Sequence, residues 1–471
     1  YLFTPANDTL YPIGLALDSL AFRFLDGNSV AYQTITLSII LGGLLLVQYD
    51  LLRRCTQSPL LCAACFSLTI FMLQPGSYWG LQNMAYHQAI PLLCILIAID
   101  LVIARAKYAA LGLLLLGTIS GLTYTSGAFS FLGLALALLA MHFFRRENQL
   151  LIYGLAALLP GVLTSLAQGW VIIFFQRGTH SPDSPMAYPW ELDFWEYMLG
   201  KVGRAAFLPE QFPHFSFLLA IAISILLAGG FVYSALSQRI NHSRTNLCYA
   251  LVFSSVFVYL LLICAGRTNM RPDTISAPID VFLSGFARFH FFWVTILFPW
   301  VLAISLSQFP RIAAGLSLIG VGALVSYSSI TSYNADYRAS MNTRLENLEC
   351  LRNGLMTGDA FQCENLHPGI DMRQVFFTSS AAGASFTRLI TIQPVPTGTP
   401  AAIFSSNRDP YEVQNFGEKA GIIDVTTAPD PMIWIRTGKP EAMSTCHLLE
   451  VNAVITTTVP EIAQLFYVPV G

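Results

Sequence analysis

Charged residues are scarce in this sequence. Lysine, arginine, aspartate and glutamate make up 11% of the 471 residues, whereas soluble domains usually carry about 25%. The hydrophobic fraction is 54% and the mean hydropathy is +0.58. This composition excludes an ordinary soluble protein and predicts an integral membrane protein. The net charge of −2 predicts neither a nucleic-acid partner nor an acidic tail.

Three further features are missing. The sequence has no internal repeat and no pair of interrupted apolar segments in corresponding halves, which many transporters show. Charged residues deep within the apolar segments are few. There is also no G-x-S-x-G motif, which a serine-dependent acyl transferase would carry. These absences count against a transporter or flippase and against an acyl or phosphoethanolamine transferase.

Apolar segments long enough, or nearly so, to cross a bilayer fill the first two thirds of the chain, since a crossing takes about 20 helical residues. We predict ten helices, two of which, 58–74 and 108–124, are short. Their ranges are 33–50, 58–74, 85–104, 108–124, 126–144, 150–176, 214–236, 246–265, 286–307 and 311–330.

Lysine and arginine occupy every second connection between these segments, which predicts the cytoplasmic side. The other connections, including 75–83, 177–213 and 266–285, then face outward, as do residues 1–32 and everything after about 331. An outward N-terminal stretch needs a segment that delivers it across the membrane. We therefore expect another helix, or a cleaved signal peptide, before Tyr1.

Two domains follow from these patterns. Residues 1–330 form the membrane domain, with an amphipathic helix in the external loop 1–32 and a second external loop at 177–213. Residues 331–471 are mixed in character and predict a small extracytoplasmic α/β or mostly β domain after a helical start at 334–355. The strand-like runs of this domain are QVFFT, RLITI, AAIFS, MIWIRT and NAVITT.

Cysteines divide between the two domains. Cys350 and Cys363 lie in the external domain and can form a disulfide if the compartment is oxidising. Cys62 and Cys65 have the spacing of a redox or metal pair, but cysteines in an apolar helix usually serve as small packing residues.

Arginines gather near one external loop. Arg267 ends a predicted helix, Arg271 lies in the loop, and Arg288 enters the next helix, followed by His290. Placing a guanidinium near the hydrocarbon boundary costs free energy unless an anion pairs with it. The planar guanidinium can donate to two phosphate oxygens at once. The cluster predicts a phosphate site, or else arginines that bind lipid head groups or pair with Asp273 and Asp280.

An acidic residue precedes the N-terminal amphipathic stretch. Apolar residues at helical spacing, from Leu10 to Phe24, predict a helix along the membrane surface. Asn7 or Asp8 can cap this helix. Alternatively, Asp8 can accept the proton of an attacking hydroxyl during glycosyl transfer.

The external loop 177–213 interleaves aromatic and acidic residues. Trp190, Glu191 and Asp193 are representative. Aromatic rings beside carboxylates can bind a sugar, but the same composition is typical of an interfacial aromatic belt. Both interpretations remain open at this point.

The order of these features resembles the C-type superfamily of membrane glycosyltransferases (GT-C), especially bacterial enzymes that use polyprenyl-phosphate sugars. Asp8 matches the acidic residue of the first external loop, and Tyr78-Trp79-Gly80-Leu81-Gln82 matches the aromatic stretch of the second. Gly266-Arg267 and Arg288-Phe289 are similar to the arginines at a helix exit and at the next helix entry, with Phe289 in place of the usual tyrosine. The resemblance spans nearly the whole membrane region.

The resemblance implies an inverting glycosyltransferase at the outer face of the bacterial cytoplasmic membrane. It would move a sugar from a polyprenyl-phosphate donor to a cell-envelope glycan or lipid acceptor, with Asp8 as base. The donor phosphate would be held by Arg267, Arg271, Arg288 and His290. Substrate would contact Tyr78, Trp79, Gln82, His87, Trp190, Glu191 and Asp193. No cofactor is required by the sequence, and a divalent cation (Mg²⁺ or Mn²⁺) stays open. Alternatives are a transporter or flippase, or a polymerase or ligase, of lipid-linked oligosaccharide.

Overall fold

The protein is described from a computed structural model. The structure describes residues 2–5, 9–73, 88–175, 186–271, 275–287 and 290–307, parts of 315–343, residues 345–355, 361–363, 366 and 371–389, and four short strands between 402 and 437. The chain divides into two compact units. They comprise Tyr1–Asn342 with Ala382–Phe386, and Thr343–Ala381 with Thr387–Gly471.

The first unit is helical in the residues described. Its α-helices are α1 (Pro12–Leu25), α2 (Ser29–Thr36), α3 (Gly42–Cys55), α4 (Pro59–Met72), α5 (Ile90–Ile103), α6 (Ala109–Thr123), α7 (Thr125–Arg145), α8 (Asn148–Phe175), α9 (Leu192–Ala205), α10 (Pro213–Ser237), α11 (Arg244–Arg267), α12 (Pro278–Ser284), α13 (Phe292–Thr295) and α14 (Leu297–Leu306). A π-helical turn at Leu37–Leu41 joins α2 to α3. A 3-10 turn at Thr268–Met270 follows α11.

Several of these helices have the length and composition of membrane spans. Five stretches qualify: Ala31–Cys55, Thr125–Arg145, Asn148–Phe174, Pro213–Ser237 and Arg244–Met270. Shorter apolar helices are Pro59–Met72, Ile90–Ile103, Ala109–Thr123 and Phe292–Leu306. All of these overlap predicted spans, as a helical membrane protein requires. The full count of ten crossing helices stays a prediction, because the shorter helices fall below about 20 residues and 311–330 lies largely outside the described residues.

The outer surface of the bundle is apolar. Leu163 and Leu166 of α8 are 58% and 66% exposed, and Leu218 and Ile225 of α10 are each 66% exposed. A soluble monomer rarely exposes large contiguous apolar areas of this kind. Lipid chains are therefore the expected neighbours of these helices, whereas α11, with Tyr259 fully buried, belongs to the interior.

The predicted N-terminal amphipathic helix is present as α1. It begins at Pro12, with Tyr11 in the capping position and no side-chain cap hydrogen bond. The hypothesis that Asn7 or Asp8 caps this helix is therefore wrong. Proline fits the first helical position because its missing N–H would have no intrahelical partner there, so the helix starts later than the acidic residue.

The connections that carry arginine meet at one end of the bundle. Arg105, after α5, pairs with Glu147, after α7, at 2.8 Å. Arg145, the last residue of α7, donates to the backbone oxygen of His242, before α11, at 2.6 Å. The C-terminal end of α3 lies at the same place. Arg54 Nε is 3.3 Å from Asp100 Oδ1 of α5, and Thr245 Oγ1 donates to the Cys55 backbone oxygen at 2.6 Å. Alternate connections thus share one end, which we call the arginine-rich end.

Short strands and helices make up the described part of the second unit. Residues 345–355 are helical, as expected, and α15 spans Met372–Ala381. The strands are β1 (Ala402–Ser405), β2 (Glu412–Gln414), β3 (Asp424–Thr426) and β4 (Trp434–Thr437). β1 pairs antiparallel with β4, Ala402 opposite Thr437, and β2 pairs antiparallel with β3. A complete α/β or mostly β domain stays a prediction.

The strand-like runs of this unit have mixed outcomes. AAIFS and MIWIRT contain β1 and β4. QVFFT is wrong as a strand, because it lies within α15, where Met372 and Phe376, four residues apart, are both buried. RLITI begins in a 3-10 helix that ends at Leu389, and NAVITT lies outside the described residues.

The cysteines behave as two classes. Cys350 and Cys363 form a disulfide with their Cα atoms 6.0 Å apart, which confirms that pairing. Cys62 and Cys65 are free and buried in α4. The interpretation of Cys62 and Cys65 as packing residues is therefore favoured over that of a redox pair.

Replacing Cys350 by serine should destabilise the second unit. A disulfide that closes a loop of this length stabilises a fold by about 3 kcal/mol, mainly by restricting the unfolded chain. We expect a protease to cleave the chain beyond residue 343 at a lower denaturant concentration than in wild type. Cleavage of the helical unit should be unchanged. Cys62→Ser is the matched control and should leave both units intact. Equal protease resistance in Cys350→Ser and wild type would contradict the prediction.

Candidate functional site

Several predicted site residues lie outside the described residues. They are Asp8, Tyr78, Trp79, Gln82, His87 and Arg288. Each of their segments nevertheless continues into a described residue that the bundle holds by hydrogen bonds. These neighbours are Thr9, Gln88, Ala287 and His290.

The backbone is fixed on both sides of Arg288. Lys201, fully buried on α9, donates from Nζ to the backbone oxygen of Ala287 at 2.6 Å. The Tyr259 hydroxyl of α11 donates to the backbone oxygen of His290 at 3.0 Å. Only Arg288 and Phe289 separate these two anchored carbonyl groups.

A close approach of two backbones brings Lys201 to Ala287. A Cβ added at Gly200 would lie 2.1 Å from the backbone oxygen of Phe282 and 2.8 Å from the Cα of Gly285. Only glycine allows α9 and α12 to pack at this distance. The next residue after Gly200 is Lys201, so the glycine contact sets the position of the ammonium group.

Tyr259 also holds the segment that follows His87. Its hydroxyl also donates to the side-chain oxygen of Gln88 at 2.6 Å, so its single hydrogen is shared between Gln88 Oε1 and the His290 backbone oxygen. Trp293 Nε1 donates to the Gln88 backbone oxygen at 2.9 Å, and the Tyr259 and Trp293 rings stack with centroids 4.5 Å apart. A buried tyrosine or tryptophan must find such partners, because an unpaired donor in an apolar interior is costly. The start of α5 and the start of α13 are thereby joined to α11.

The segment that follows Asp8 is anchored by Gln168 of α8. This amide is 1% exposed. Its Nε2 donates to the backbone oxygens of Leu10 (2.6 Å) and Gly121 (2.9 Å), and its Oε1 accepts from the Leu10 N–H (3.0 Å). Thr9 lies 3.1 Å from the Thr125 hydroxyl, Oγ1 to Oγ1. The chain directly after Asp8 is thus held at the ends of α6, α7 and α8.

These anchors belong to one region. Tyr124, which precedes α7 and neighbours Thr125, interacts electrostatically with Tyr259, as do Tyr197 and Arg267. Tyr259 therefore holds the described residues next to His87 and Arg288, whereas the segment after Asp8 is held by Gln168 and by Thr125, the residue after Tyr124. We call the described part of this region the tyrosine cluster: Tyr124, Tyr197, Tyr259, Lys201 and Arg267.

The cations of the tyrosine cluster differ in their partners. Arg267 donates to the Met270 sulfur at 3.1 Å and forms no ion pair with any residue that the structure describes. Lys201 lies over the Tyr197 ring, 4.8 Å from its centroid. Sulfur is a weak acceptor, so the Arg267 guanidinium keeps donors for an anion.

Arg271 is engaged within the protein. It pairs with Asp193 of α9 and donates to the backbone oxygens of Ile275 and Thr268, both at 2.8 Å. The alternative that arginines of this loop pair with Asp273 and Asp280 gains no support from the described residues. The partner of Arg271 is instead Asp193, in the first turn of α9.

The remaining predicted residues surround this region in different ways. His290 is buried, with 3% of its surface exposed, and Trp190 is 78% exposed. Trp190 stacks on Tyr188 with centroids 4.5 Å apart and planes 4° apart. Glu191 precedes α9 in its N-cap position without capping it. The Tyr188–Trp190 pair thus presents a flat aromatic face, which suits either a sugar ring or the membrane interface.

Glu196 is a buried carboxyl group close to Asp193 and Arg271. It is 5% exposed, and its Oε2 has no hydrogen-bond partner among the described residues. Burial raises the pKa of Glu196; Asp193 raises it further, and Arg271 lowers it. A carboxyl group in this setting is a candidate for proton transfer.

Sequence reasoning did not single out Lys201, Tyr259 or Gln168, and it named Glu196 only as one of the acidic residues interleaved with aromatic residues in 177–213. Lys201 carried a signal, since it lies at helical spacing from the apolar residues Phe194 and Met198 of α9, a pattern that implies a buried partner. Gln168 was a polar residue within an apolar span, which usually has a structural or functional reason. Their partners depend on contacts far apart in sequence.

The described residues do not assemble a metal site. Within the ranges that the structure describes, no three histidine, cysteine, aspartate or glutamate side chains come together. Asp193 and Glu196 are neighbours, but Asp193 is paired with Arg271. The carboxylate ligands that Mg²⁺ or Mn²⁺ prefers are therefore not gathered among the described residues, and the divalent cation that the sequence left open is untested.

Glu196→Gln should stabilise the protein at neutral and higher pH. Because the pKa of Glu196 is raised in the folded state, the native protein still holds the Glu196 proton at pH values at which the unfolded chain has lost it. The wild type therefore loses stability as pH rises through the raised pKa, whereas the neutral amide does not. We expect the melting temperature of Glu196→Gln to exceed that of wild type by a margin that grows with pH. Glu210→Gln, at a 59% exposed side chain, should show no such trend, and a constant margin for Glu196→Gln would contradict the prediction.

Comparisons with known proteins supply no relative. No family model, no curated protein and no solved structure matches this chain. The function must accordingly be argued from the residues around Tyr259 and from the chemistry that they can perform.

Proposed function

We propose that this protein is an inverting membrane glycosyltransferase that uses a polyprenyl-phosphate sugar as donor. One observation carries the proposal: Tyr259 holds the described neighbours of His87 and Arg288 directly, and the described neighbour of Asp8 bonds to Thr125, next in the chain to Tyr124, which interacts electrostatically with Tyr259. These residues come from three loops far apart in sequence. A proton acceptor, a substrate-lining segment and a phosphate ligand are the three components that such a transfer needs in one place.

The donor phosphate is assigned to Arg288 and Arg267. A guanidinium presents two parallel donors to two phosphate oxygens and stays charged at any physiological pH. Arg267 forms no ion pair among the described residues, so its charge is available to a ligand. In this proposal Arg271 supports the site, because it fastens α9 through Asp193. His290 is buried and helps to shape the backbone at Arg288.

Asp8 acts as the base. The acceptor hydroxyl gives its proton to the Asp8 carboxylate as its oxygen attacks the anomeric carbon. The bond between that carbon and the phosphate oxygen breaks, and polyprenyl phosphate leaves with the bonding electron pair. Arg288 and Arg267 stabilise the charge that develops on the leaving phosphate. A single displacement inverts the anomeric carbon.

The acceptor is a glycan or lipid of the cell envelope. Tyr78, Trp79, Gln82 and His87 line its side of the site, and the stacked Tyr188–Trp190 pair, with Glu191 nearby, offers a face for a sugar ring. The disulfide between Cys350 and Cys363 fits an oxidising compartment. An extracytoplasmic C-terminal unit at the bacterial cytoplasmic membrane, with about ten crossing helices, belongs to the same proposal.

Transfer activity should depend on Asp8 and Arg288. We expect Asp8→Asn to lower the rate of sugar transfer by roughly 10²-fold or more, as loss of a general base does, and Arg288→Ala to lower it about 10²-fold through loss of charge stabilisation. The measurement is transfer from a panel of radiolabelled polyprenyl-phosphate sugars, with and without chelator. Arg53→Ala, an exposed arginine at the arginine-rich end, is the control.

Three outcomes separate the candidate functions. Normal transfer by folded Asp8→Asn and Arg288→Ala proteins would reject the proposal. Arg288-dependent movement of a lipid-linked oligosaccharide across the membrane without transfer would indicate a flippase. Transfer of a glycan from a pyrophosphate donor, with none from a monophosphate donor, would indicate a polymerase or ligase.

Tyr259 should act as a positioning residue. Tyr259→Phe removes the hydroxyl that holds His290 O and Gln88, so Arg288 loses one of its two backbone anchors. We expect a rise in the KM for the donor and a fall in kcat/KM of about tenfold, the cost of one buried hydrogen bond. Tyr249→Phe is the matched control, since Tyr249 is buried on the same helix and its hydroxyl donates to Leu227 O at 2.7 Å. Equal kinetic effects of the two substitutions would contradict the assignment.

A further inference from the structure

A second cationic site lies at the arginine-rich end, away from the tyrosine cluster. A cavity of about 330 Å³ opens there between the α5–α6, α7–α8 and α10–α11 connections. Its polar lining includes Arg105, Arg145, Glu147, Gln149 and Arg244. This volume is at the lower end of the range typical of small-molecule sites, about 300–1,000 Å³.

Arg145 is the central residue of the cavity. Its side chain is only 5% exposed. Nη2 donates to the backbone oxygen of His242 at 2.6 Å, while Nε has no hydrogen-bond partner among the described residues and lies 3.5 Å from Glu147 Oε1. A guanidinium carries five N–H donors, and a buried donor without an acceptor costs free energy. Arg145 therefore has unused donors in a lined cavity.

Positive charge exceeds negative charge around Arg145. Arg105 and Arg244 both interact with it electrostatically, and both repel it. Among the residues that the structure describes, Glu147 is the one carboxylate that lines the cavity. It is shared between Arg105 Nη2 (2.8 Å), His242 Nδ1 (3.3 Å) and Arg145. Three guanidinium groups with a single carboxylate leave a surplus that one anion would offset.

The local backbone adds to this preference. Gln149 lies in the first turn of α8, and Arg244 is the first residue of α11. Helix N-termini carry partial positive charge and favour anions. The cavity is therefore bordered by two helix starts as well as by three arginines.

We propose that this cavity binds a phosphate group, carried either by an anionic lipid head group or by a soluble phosphate ester. Arginine forks match phosphate oxygens in geometry and charge. The cavity is larger than a bare ion needs, which leaves room for the atoms that bear the phosphate. The site depends on neither Asp8 nor Arg288, so it holds whether or not the protein transfers sugar.

The test compares two kinds of probe on the full chain purified in detergent. The soluble arm uses inorganic phosphate and glycerol 3-phosphate, and the lipid arm uses phosphatidylglycerol against phosphatidylcholine. Ionic strength is held constant with chloride, because exposed charges are screened by salt. The readout is the rise in melting temperature with probe concentration, which yields an apparent Kd.

The variants keep the fold while they remove the ligands. Arg105 and Arg244 are exposed, so the double variant Arg105→Gln/Arg244→Gln should fold, whereas Arg145→Gln changes a buried group and is secondary. Arg146→Gln is the matched control, since Arg146 is the exposed neighbour of Arg145 and does not line the cavity. We expect the apparent Kd to rise at least about tenfold in the double variant, as loss of charge-assisted hydrogen bonds predicts, and to change less than about twofold in Arg146→Gln.

Each outcome is decisive. A shift with glycerol 3-phosphate or inorganic phosphate that the double variant loses supports a soluble ligand. A shift with phosphatidylglycerol alone, again lost in the double variant, supports a lipid head group. No shift of the wild type with any probe would overturn the proposal, and so would equal affinity in wild type and double variant.

Discussion

The candidate site depends on hydrogen bonds from the buried side chain of Tyr259. The Tyr259 hydroxyl donates to the backbone oxygen of His290 and to the side chain of Gln88, which precedes α5, and the Tyr259 ring stacks on Trp293. In a bundle surrounded by lipid chains, irregular backbone is tolerated only where protein groups satisfy it. Tyr259 and Gln168 perform this task where helices end and loops begin. The loops that carry the proposed catalytic residues depend on these buried side chains for their position.

The two ends of the bundle differ in how their cationic side chains are paired. Around Tyr259, Lys201 is enclosed by a carbonyl oxygen and an aromatic ring, Arg271 is neutralised by Asp193, and Arg267 forms no ion pair with any described residue. At the opposite end, Arg105, Arg145 and His242 share Glu147, and Arg244 repels Arg145 electrostatically. A cation near hydrocarbon requires a partner, and where the protein supplies too few, a bound anion is the expected complement. Both proposed phosphate sites follow from this surplus.

Sequence periodicity predicted most of the described helical unit, because a run of apolar residues in lipid has few alternatives to a helix. It predicted helix boundaries less well: the N-terminal helix starts at Pro12, and Asp8 is too far upstream to cap it. In the second unit, QVFFT had the composition of a strand but forms part of α15. Short runs of this kind are ambiguous, since burial of Met372 and Phe376 on one helical face can outweigh intrinsic strand preference.

By itself, the sequence determined that the chain is apolar and helical, that arginine marks alternate connections, and that Cys350 and Cys363 are close enough in sequence to pair. Each of these properties depends on composition or on residues near one another in the chain. Only the tertiary structure decided that Arg271 pairs with Asp193, that Lys201 and Tyr259 hold both flanks of Arg288, and that Arg105, Arg145 and Arg244 surround one cavity. The paired residues Arg271 and Asp193 are 78 positions apart, and Lys201 is 86 positions from Ala287. They arise from how the helices pack, including the approach of Gly200 to Gly285, which no local pattern specifies.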